Sequence, residues 1–423
     1  MVHFSHISYK KIILLIFIFS GINVSAFQEI SSSKNYVQFK GIVYNKDNSE
    51  PIASAHLTLD NYNISTLTNE NGYFSMKIPK KIKNATVTTT LIGFQSKTIH
   101  LDYFSTTDMQ IFLNPTIEKL EDVILYAHND AEEIVQKTMS NKGKKYIDKP
   151  LEMTAFYRES IQQRNTNISL SEALIKIHKQ PYTSAEHDKV LVDKARKSTD
   201  YTRLDTVVLK LRGGPYSTLY IDIMKYPEFL YEESLLREYN FTFNEPTQIN
   251  GNYVYVINFD QKRKHQPWYY GKLFIDAESL TLIKADYHLN VEDRTEAIRM
   301  FVLKKPGKAK VFPVETHYQI DYLNQNGKWY YSYANVFVEM VVNWKKRLFN
   351  SRYKFRSELL VTERKYLTEK SKRNRSNLIN PSIIMNDNIS GFSDADFWGA
   401  NNIIEPEKSI LEAYQKIKDR VNN

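Results

Sequence analysis

Apolar and polar side chains alternate with a period of two through most of this chain, interrupted every few residues by turn signals. No other feature constrains the fold as much. A strand sends successive side chains to opposite faces, so the pattern marks strands with one face buried. From Val37 to Leu113 it repeats over short runs: Val37–Tyr44, Ala55–Leu59, Ile64–Thr68, Tyr73–Pro79, Ala85–Leu91, Gln95–Leu101 and Met109–Leu113. Asn45 to Pro51 and Asn69-Glu70-Asn71-Gly72 are turn clusters between them, and Asn and Gly tolerate positive φ. Seven short strands at this spacing predict a sandwich of two antiparallel sheets.

From Met153 the strands lengthen. Met153–Glu159, Tyr253–Phe259, Gly271–Asp276, Leu282–Leu289, Phe312–Tyr322, Trp329–Met340 and Arg352–Thr362 carry the pattern, with Asn250-Gly251-Asn252 and Asn326-Gly327 as hairpin turns. Long hairpins with few helices predict an antiparallel sheet that curls. Helical spacing appears three times. Asn129-Asp130 can cap a helix from Ala131 to about Ser140, with Ile134, Val135, Thr138 and Met139 on one face and Asn141-Lys142-Gly143 as its stop. A short helix is expected within Asp222–Glu233. A tail helix opens at Glu405-Pro406-Glu407 and runs to about Val421, with Ile410, Leu411, Tyr414 and Ile417 on one face. The fold class expected is mainly β: a seven-stranded N-terminal sandwich, then a larger curved antiparallel sheet like an incomplete barrel, with a few helices. The divisions are 1–26 leader, 37–114 sandwich, 115–150 linker strand and helix, 151–365 curved sheet, and 366–423 tail.

The first residues read as a secretory signal peptide. Lys10-Lys11 precede the apolar run Ile12–Phe19, Ser20-Gly21 breaks it, and Val24-Ser25-Ala26 offers small residues for cleavage. The run falls short of the ~20 residues a spanning helix needs. The chain holds no cysteine, so disulfides, a thiolate nucleophile, a cysteine metal site and a lipid-modified cysteine are all excluded. Net charge is +9, or +7 without Lys10 and Lys11. Basic clusters at Lys262–Lys264, Lys304–Lys310, Lys345–Arg347 and Lys370–Arg375 read as solvated surface, with weak attraction to anionic envelope components as a second reading. Export argues against a nucleic-acid partner.

Four motif pieces carry a resemblance: Gly41-Ile42-Val43, Pro51-Ile52-Ala53-Ser54-Ala55, Thr68 to Met76, and Ile92-Gly93-Phe94. Together they resemble the carboxypeptidase regulatory-like domain, a transthyretin-like seven-stranded sandwich common at the start of Bacteroidetes envelope proteins. The resemblance implies an accessory module and not a zinc peptidase. It departs at Asn69, where that family often has Asp, so any ion at that turn is in doubt. The stretch Val254–Leu289, with Gly271-Lys272-Leu273-Phe274-Ile275-Asp276, resembles the curved sheet of lipoprotein carriers. That implies an incomplete barrel around a helix, whose apolar concave face either holds an acyl chain or is filled by its own side chains. Phe397-Trp398-Gly399 and the following acidic-Pro segment are similar to the ends of many Bacteroidetes proteins with this first domain.

No catalytic motif emerges. His56, His100, His128, His178, His187, His265, His288 and His317 are scattered singly, without His-x-x-Glu or His-Glu-x-x-His. Leu211 to Pro215 lacks the Lys and Ser/Thr of a phosphate loop. No Gly-x-Ser-x-Gly occurs, and the Ser-x-x-Lys matches at Ser31 and Ser351 stand without partner motifs. Asp394 and Asp396 read as a loop cap before a cation site. A spatially assembled carboxylate pair stays open, because its separation is not sequential. No catalytic, cofactor-binding or metal residue is nominated, and no cofactor is expected. The expectation is an exported, non-enzymatic envelope protein in the periplasm or at the outer membrane. Its sandwich would be a docking or spacing module, and its larger domain would bind a lipid, a glycan or a protein, with peripheral membrane association left open. A hydrolase with a site assembled in the larger domain is the alternative.

Overall fold

The computed structural model describes residues 35–116, 130–164, 166–199, 210–211, 213–226, 236–249, 251–304, 309–344, 350–369, 377–383, 385, 397–406 and 410. The leader at 1–26, the linker strand beyond residue 116, Asp394, Asp396 and the tail helix beyond Ile410 lie outside the described residues.

Seven strands build the first domain: β1 (Tyr36–Asn45), β2 (His56–Leu59), β3 (Ile64–Leu67), β4 (Tyr73–Pro79), β5 (Thr86–Thr90), β6 (Lys97–His100) and β7 (Met109–Leu113). They form two sheets, ordered β4-β1-β7 and β3-β2-β5-β6. The interior is Val43, Leu57, Phe74, Met76, Val87, Ile111 and their neighbours, the apolar halves of the alternating runs. One expectation is corrected. β1 pairs antiparallel with β4 but parallel with β7, so the smaller sheet is mixed. The chain crosses over through the other sheet before β7 returns beside β1, and a crossover delivers parallel neighbours. Gly41 is required there: a Cβ at this position would lie 2.1 Å from the Met109 carbonyl oxygen.

Among the described residues the second domain has thirteen strands, eleven of them in one antiparallel curved sheet that does not close. In chain order the strands are β8 (Leu151–Gln163), β9 (Thr166–Lys179), β10 (Lys189–Thr199), β11 (Lys210–Leu211), β12 (Tyr239–Phe243), β13 (Thr247–Ile249), β14 (Asn252–Gln261), β15 (Tyr269–Asp276), β16 (Thr281–Leu289), β17 (Val302–Lys304), β18 (Ala309–Gln325), β19 (Lys328–Trp344) and β20 (Ser351–Tyr366). The sheet order is β10-β9-β8-β20-β19-β18-β16-β15-β14-β12, with β13 also on β14, while β11 and β17 pair apart. The Asn326-Gly327 hairpin forms as expected. Both residues have positive φ, 52° and 77°, the conformation a two-residue turn joining twisted strands requires.

Helices pack on one face of this sheet. α1 (Ala131–Ser140) is capped by the Asp130 carboxylate, which accepts from the Glu132 and Glu133 amides, and it buries Ala131, Ile134, Val135 and Thr138. It ends at Ser140 as expected, though Asn141 caps it with a right-handed helical backbone and a short α2 (Lys142–Lys145) follows at once. Of the helix expected within Asp222–Glu233, residues 222–226 form turns and 227–233 lie outside the described residues; before them stands α3 (Pro215–Leu219), opened by Pro215 and preceded by Gly213 and Gly214 at positive φ. α4 (Arg294–Phe301) precedes β17. One core holds Ile134 and Val135 of α1, Tyr216 and Leu219 of α3, Met224, and the inward residues of β8, β9, β14–β16 and β18–β20. The helix-bearing face is therefore largely filled by the chain itself. No helix among the described residues is long and apolar enough to cross a membrane.

Candidate functional site

The outer face of the sheet meets the sandwich. On β16 the burial alternates strictly: Ile283, Ala285, Tyr287 and Leu289 point into the core, so Lys284, Asp286 and His288 stand on the outer face. The register places Lys284 opposite Asp321 and Asp286 opposite Gln319. The sandwich delivers His56 from β2 to this row, with Nε2 3.2 Å from Asp321 Oδ2. Gln319 Nε2 donates to both Asp321 oxygens at 3.1 and 3.0 Å, and Lys284 Nζ lies 3.9 Å from Oδ1. Burial alone would raise the Asp321 carboxyl. Lys284 and the His56 hydrogen bond outweigh it, and the carboxyl is held below its ordinary value.

Beside this row opens a cleft of about 400 Å³, at the end of the sheet by the β18–β19 hairpin. The sandwich contributes Ser54, His56, Thr90, Leu91 and Ile92 to its wall. The sheet contributes an apolar floor of Ile249, Ile283, Tyr322, Leu323 and Trp329 and a polar rim of Asn252, Asp276, Lys284, Asp321 and Asn324. The Ile92-Gly93-Phe94 motif holds the walls together, since the Gly93 amide donates to the Gln248 carbonyl on β13 at 2.9 Å. The volume falls in the range of small-ligand sites, and an apolar floor with a few polar groups is their usual lining.

Ser54, His56 and Asp321 share this cleft, but they do not form a nucleophile relay. A relay needs the hydroxyl within hydrogen-bonding reach of the imidazole. His56 spends Nε2 on Asp321, and its Nδ1 is buried with no hydrogen-bond partner among the described residues. Two carboxyls, Asp276 and Asp321, line the cleft as well. Acid–base hydrolysis of a glycosidic bond needs one of its pair kept protonated. Asp321 is held ionised, and Asp276 Oδ1 accepts from the Ser279 amide and hydroxyl at 2.7 and 2.6 Å.

The helix-bearing face keeps a smaller pocket of about 240 Å³, lined by Glu159, Ser217, Tyr318, Val338 and Phe355 among others. Burial raises the Glu159 carboxyl above its ordinary value, partly countered by the Tyr157 hydroxyl at 2.9 Å. Deeper lies a closed network. Lys179 Nζ reaches Asp188 at 2.8 Å and Asp222 at 2.7 Å, and Tyr182 and Tyr322 donate to Asp222. All three charged side chains are fully buried, so this network pins α3 and the turn after it to the sheet.

Two of the histidines read as isolated in the sequence are neighbours in space: His288 and His317 stack at 5.1 Å, and His317 Nε2 contacts Asp286 at 2.8 Å. His56 and Asp321 are 265 residues apart, so no local spacing pattern could have joined them. His100, His178, His187 and His265 lie elsewhere; His178 faces Glu152 at 3.7 Å and His265 faces Glu292 at 3.4 Å. His128 falls outside the described residues.

No curated protein matches the chain. Among solved structures it is similar to a domain described as an outer membrane lipoprotein-sorting protein from Vibrio parahaemolyticus, at 11% identity over 57% of this chain and 96% of that one, TM-score 0.25. It is also similar to the MucA/MucB complex of Pseudomonas aeruginosa, at 10% identity over 60% and 99%, TM-score 0.19. A third is a LolA superfamily protein from Nitrosomonas europaea, at 9% identity over 57% and 96%, TM-score 0.19. At such TM-scores these likenesses carry no part of the argument. The sequence model of the CarboxypepD_reg-like domain matches residues 39–125, and that match supports the sandwich as such a domain.

Proposed function

We propose that this chain is an exported envelope protein that binds its ligand without transforming it. The ligand is a short glycan or the sugar-bearing head of an envelope lipid, held in the cleft between sandwich and sheet. One observation carries this reading: two separately built domains wall a single cleft of about 400 Å³ with an apolar aromatic floor and a fixed polar rim. A sugar ring has an apolar face and a hydroxyl edge. Tyr322, Trp329 and Ile283 suit the face, and the side-chain amides of Asn252 and Asn324 with the carboxylates suit the hydroxyls. The sandwich supplies a third of the lining residues, so its role is more than spacing.

Native mass spectrometry of the protein purified from its own envelope tests this, beside a Leu91→Trp variant that fills the cleft from the sandwich side. The expected result is a saccharide-bearing adduct on the wild type and its loss from the variant. An adduct retained by Leu91→Trp, or wild-type protein carrying none, overturns the reading. Turnover of an added oligosaccharide would move the chain to the hydrolases.

A further inference from the structure

Asp286, His288 and His317 stand on the outer face of β16 and β18, beyond the residues that line the cleft. Among the described residues they are the one group of three His, Asp or Glu side chains whose ligand atoms all lie within 4.8 Å of one another. We propose that they form a binding site for a transition-metal dication of the zinc class, which no sequence spacing announces.

The donor set comes first. Two imidazoles and one carboxylate suit zinc and its neighbours, whereas magnesium and calcium take oxygen ligands. Three protein ligands leave room for water or another group at a fourth position. A zinc ion with bonds of about 2.0–2.2 Å keeps neighbouring ligand atoms about 3.4 Å apart. His317 Nε2 and Asp286 Oδ1, now 2.8 Å apart, need to part slightly to admit it. Their side chains are 30% and 34% exposed, so they are free to do so and an ion can reach them.

The surroundings prepare the site. His288 Nδ1 lies 2.5 Å from the Thr316 carbonyl oxygen. A carbonyl only accepts, so Nδ1 carries the proton and Nε2 keeps its lone pair for a ligand bond. Metal-binding histidines are commonly fixed in this way through their other nitrogen. Thr316 is itself anchored, because its hydroxyl accepts from the Leu289 amide at 2.7 Å. Tyr270 stacks on His288 at 5.4 Å, and His317 stacks on it at 5.1 Å, so neither ring is loose.

The test uses the full chain without a histidine tag, stripped with chelator and titrated with Zn²⁺ by calorimetry, with native mass spectrometry for stoichiometry. One Zn²⁺ per chain is expected, with excess Mg²⁺ failing to compete. His317→Ala and His288→Gln should each weaken binding by at least about tenfold, while His265→Ala, at an exposed histidine elsewhere, leaves it unchanged. Circular dichroism of each variant establishes that it is folded. Wild-type protein that binds no Zn²⁺ overturns the proposal whatever the variants do. So does one equivalent that survives the His288→Gln/His317→Ala double substitution. The result is independent of what occupies the cleft, since neither histidine lines it.

Discussion

Asn69 shows how far a single residue can be read from sequence. Its place in a turn was legible: Asn69 Oδ1 accepts from the Asn71 and Tyr73 amides, the local bonding for which such turns select Asn or Asp. Its preference for Asn was not, because the third bond reaches a carbonyl 336 residues away. Asn69 Nδ2 donates to Glu405 O at 3.0 Å, a bond that a carboxylate cannot make. Asn69→Asp should therefore cost about 1–3 kcal/mol in urea unfolding, while Asn71→Asp at the exposed neighbour costs almost nothing. Equal midpoints for the two variants would refute the donor role. Glu159 gives a second prediction at this scale. Burial raises its carboxyl in the folded protein, so folding favours the protonated form. Its contribution to stability is complete below its unfolded value of about 4.5 and is lost as pH rises through the folded value. The neutral Glu159→Gln variant lacks that loss. Its urea midpoint, measured against the wild type, should gain as pH rises above about 4.5 and stop gaining once the wild-type Glu159 is ionised in the folded state. A difference that stays constant over that range would mean Glu159 is solvated.

At the scale of elements, alternation revealed seven long strands of the second domain and missed others, β9, β10 and β12 among them. β9 escaped because Thr166–Lys179 is buried along almost its whole length. On one side Ala173, Ile175 and Ile177 join the core, and on the other Leu174 packs under the tail while Glu172 sits between two guanidinium groups. Arg158 and Arg196 each reach Glu172 at 2.8 Å, all three nearly free of solvent, and polar residues so placed break any hydrophobic pattern. The cover over this cluster is the irregular segment 397–406. Trp398 stacks edge-on to Phe156 at 5.4 Å and lies 4.8 Å from the Arg196 guanidinium, and the Ile404 carbonyl accepts from Arg158. The same segment holds the sandwich through Asn402 with the Lys77 amide and Gly399 O with Lys77 Nζ. It is a strap, and its contacts give it no periodicity to read. Trp398→Ala removes its largest buried anchor, at an expected cost of about 3–5 kcal/mol, and should speed protease cleavage within 397–406 under native conditions. Tyr366→Ala, at a residue 70% exposed, serves as the control. Cleavage rates unchanged by Trp398→Ala would show that the segment is held by something else.

For the whole molecule, the sequence suggested two β domains joined by a linker, each with its own core. Each does have its own core, but the described residues from Tyr36 onward form one compact unit. Leu67 of the sandwich shares a cluster with Phe156, Leu174, Leu360, Trp398 and Ile404 of the sheet and strap. Ser65 Oγ donates to Val361 O, Asn63 Nδ2 donates to Arg364 O, and Gly93 docks on Gln248. Opening the sandwich alone would break these bonds, take His56 from the buried Asp321, release the strap from Lys77 and uncover the apolar partners of Leu67, which is costlier than parting two wet surfaces. The chain should therefore unfold in a single transition. All four tryptophans lie outside the sandwich: Trp268 just before β15, Trp329 and Trp344 on β19, and Trp398 in the strap. Tryptophan fluorescence thus reports the second domain, and hydrogen exchange of peptides from β1 and β4 reports the first. Across a urea series their midpoints should coincide. If β1 and β4 open while the tryptophan signal is still native, the sandwich is an independent module after all, and a cleft walled from both sides would not persist as a stable binding site.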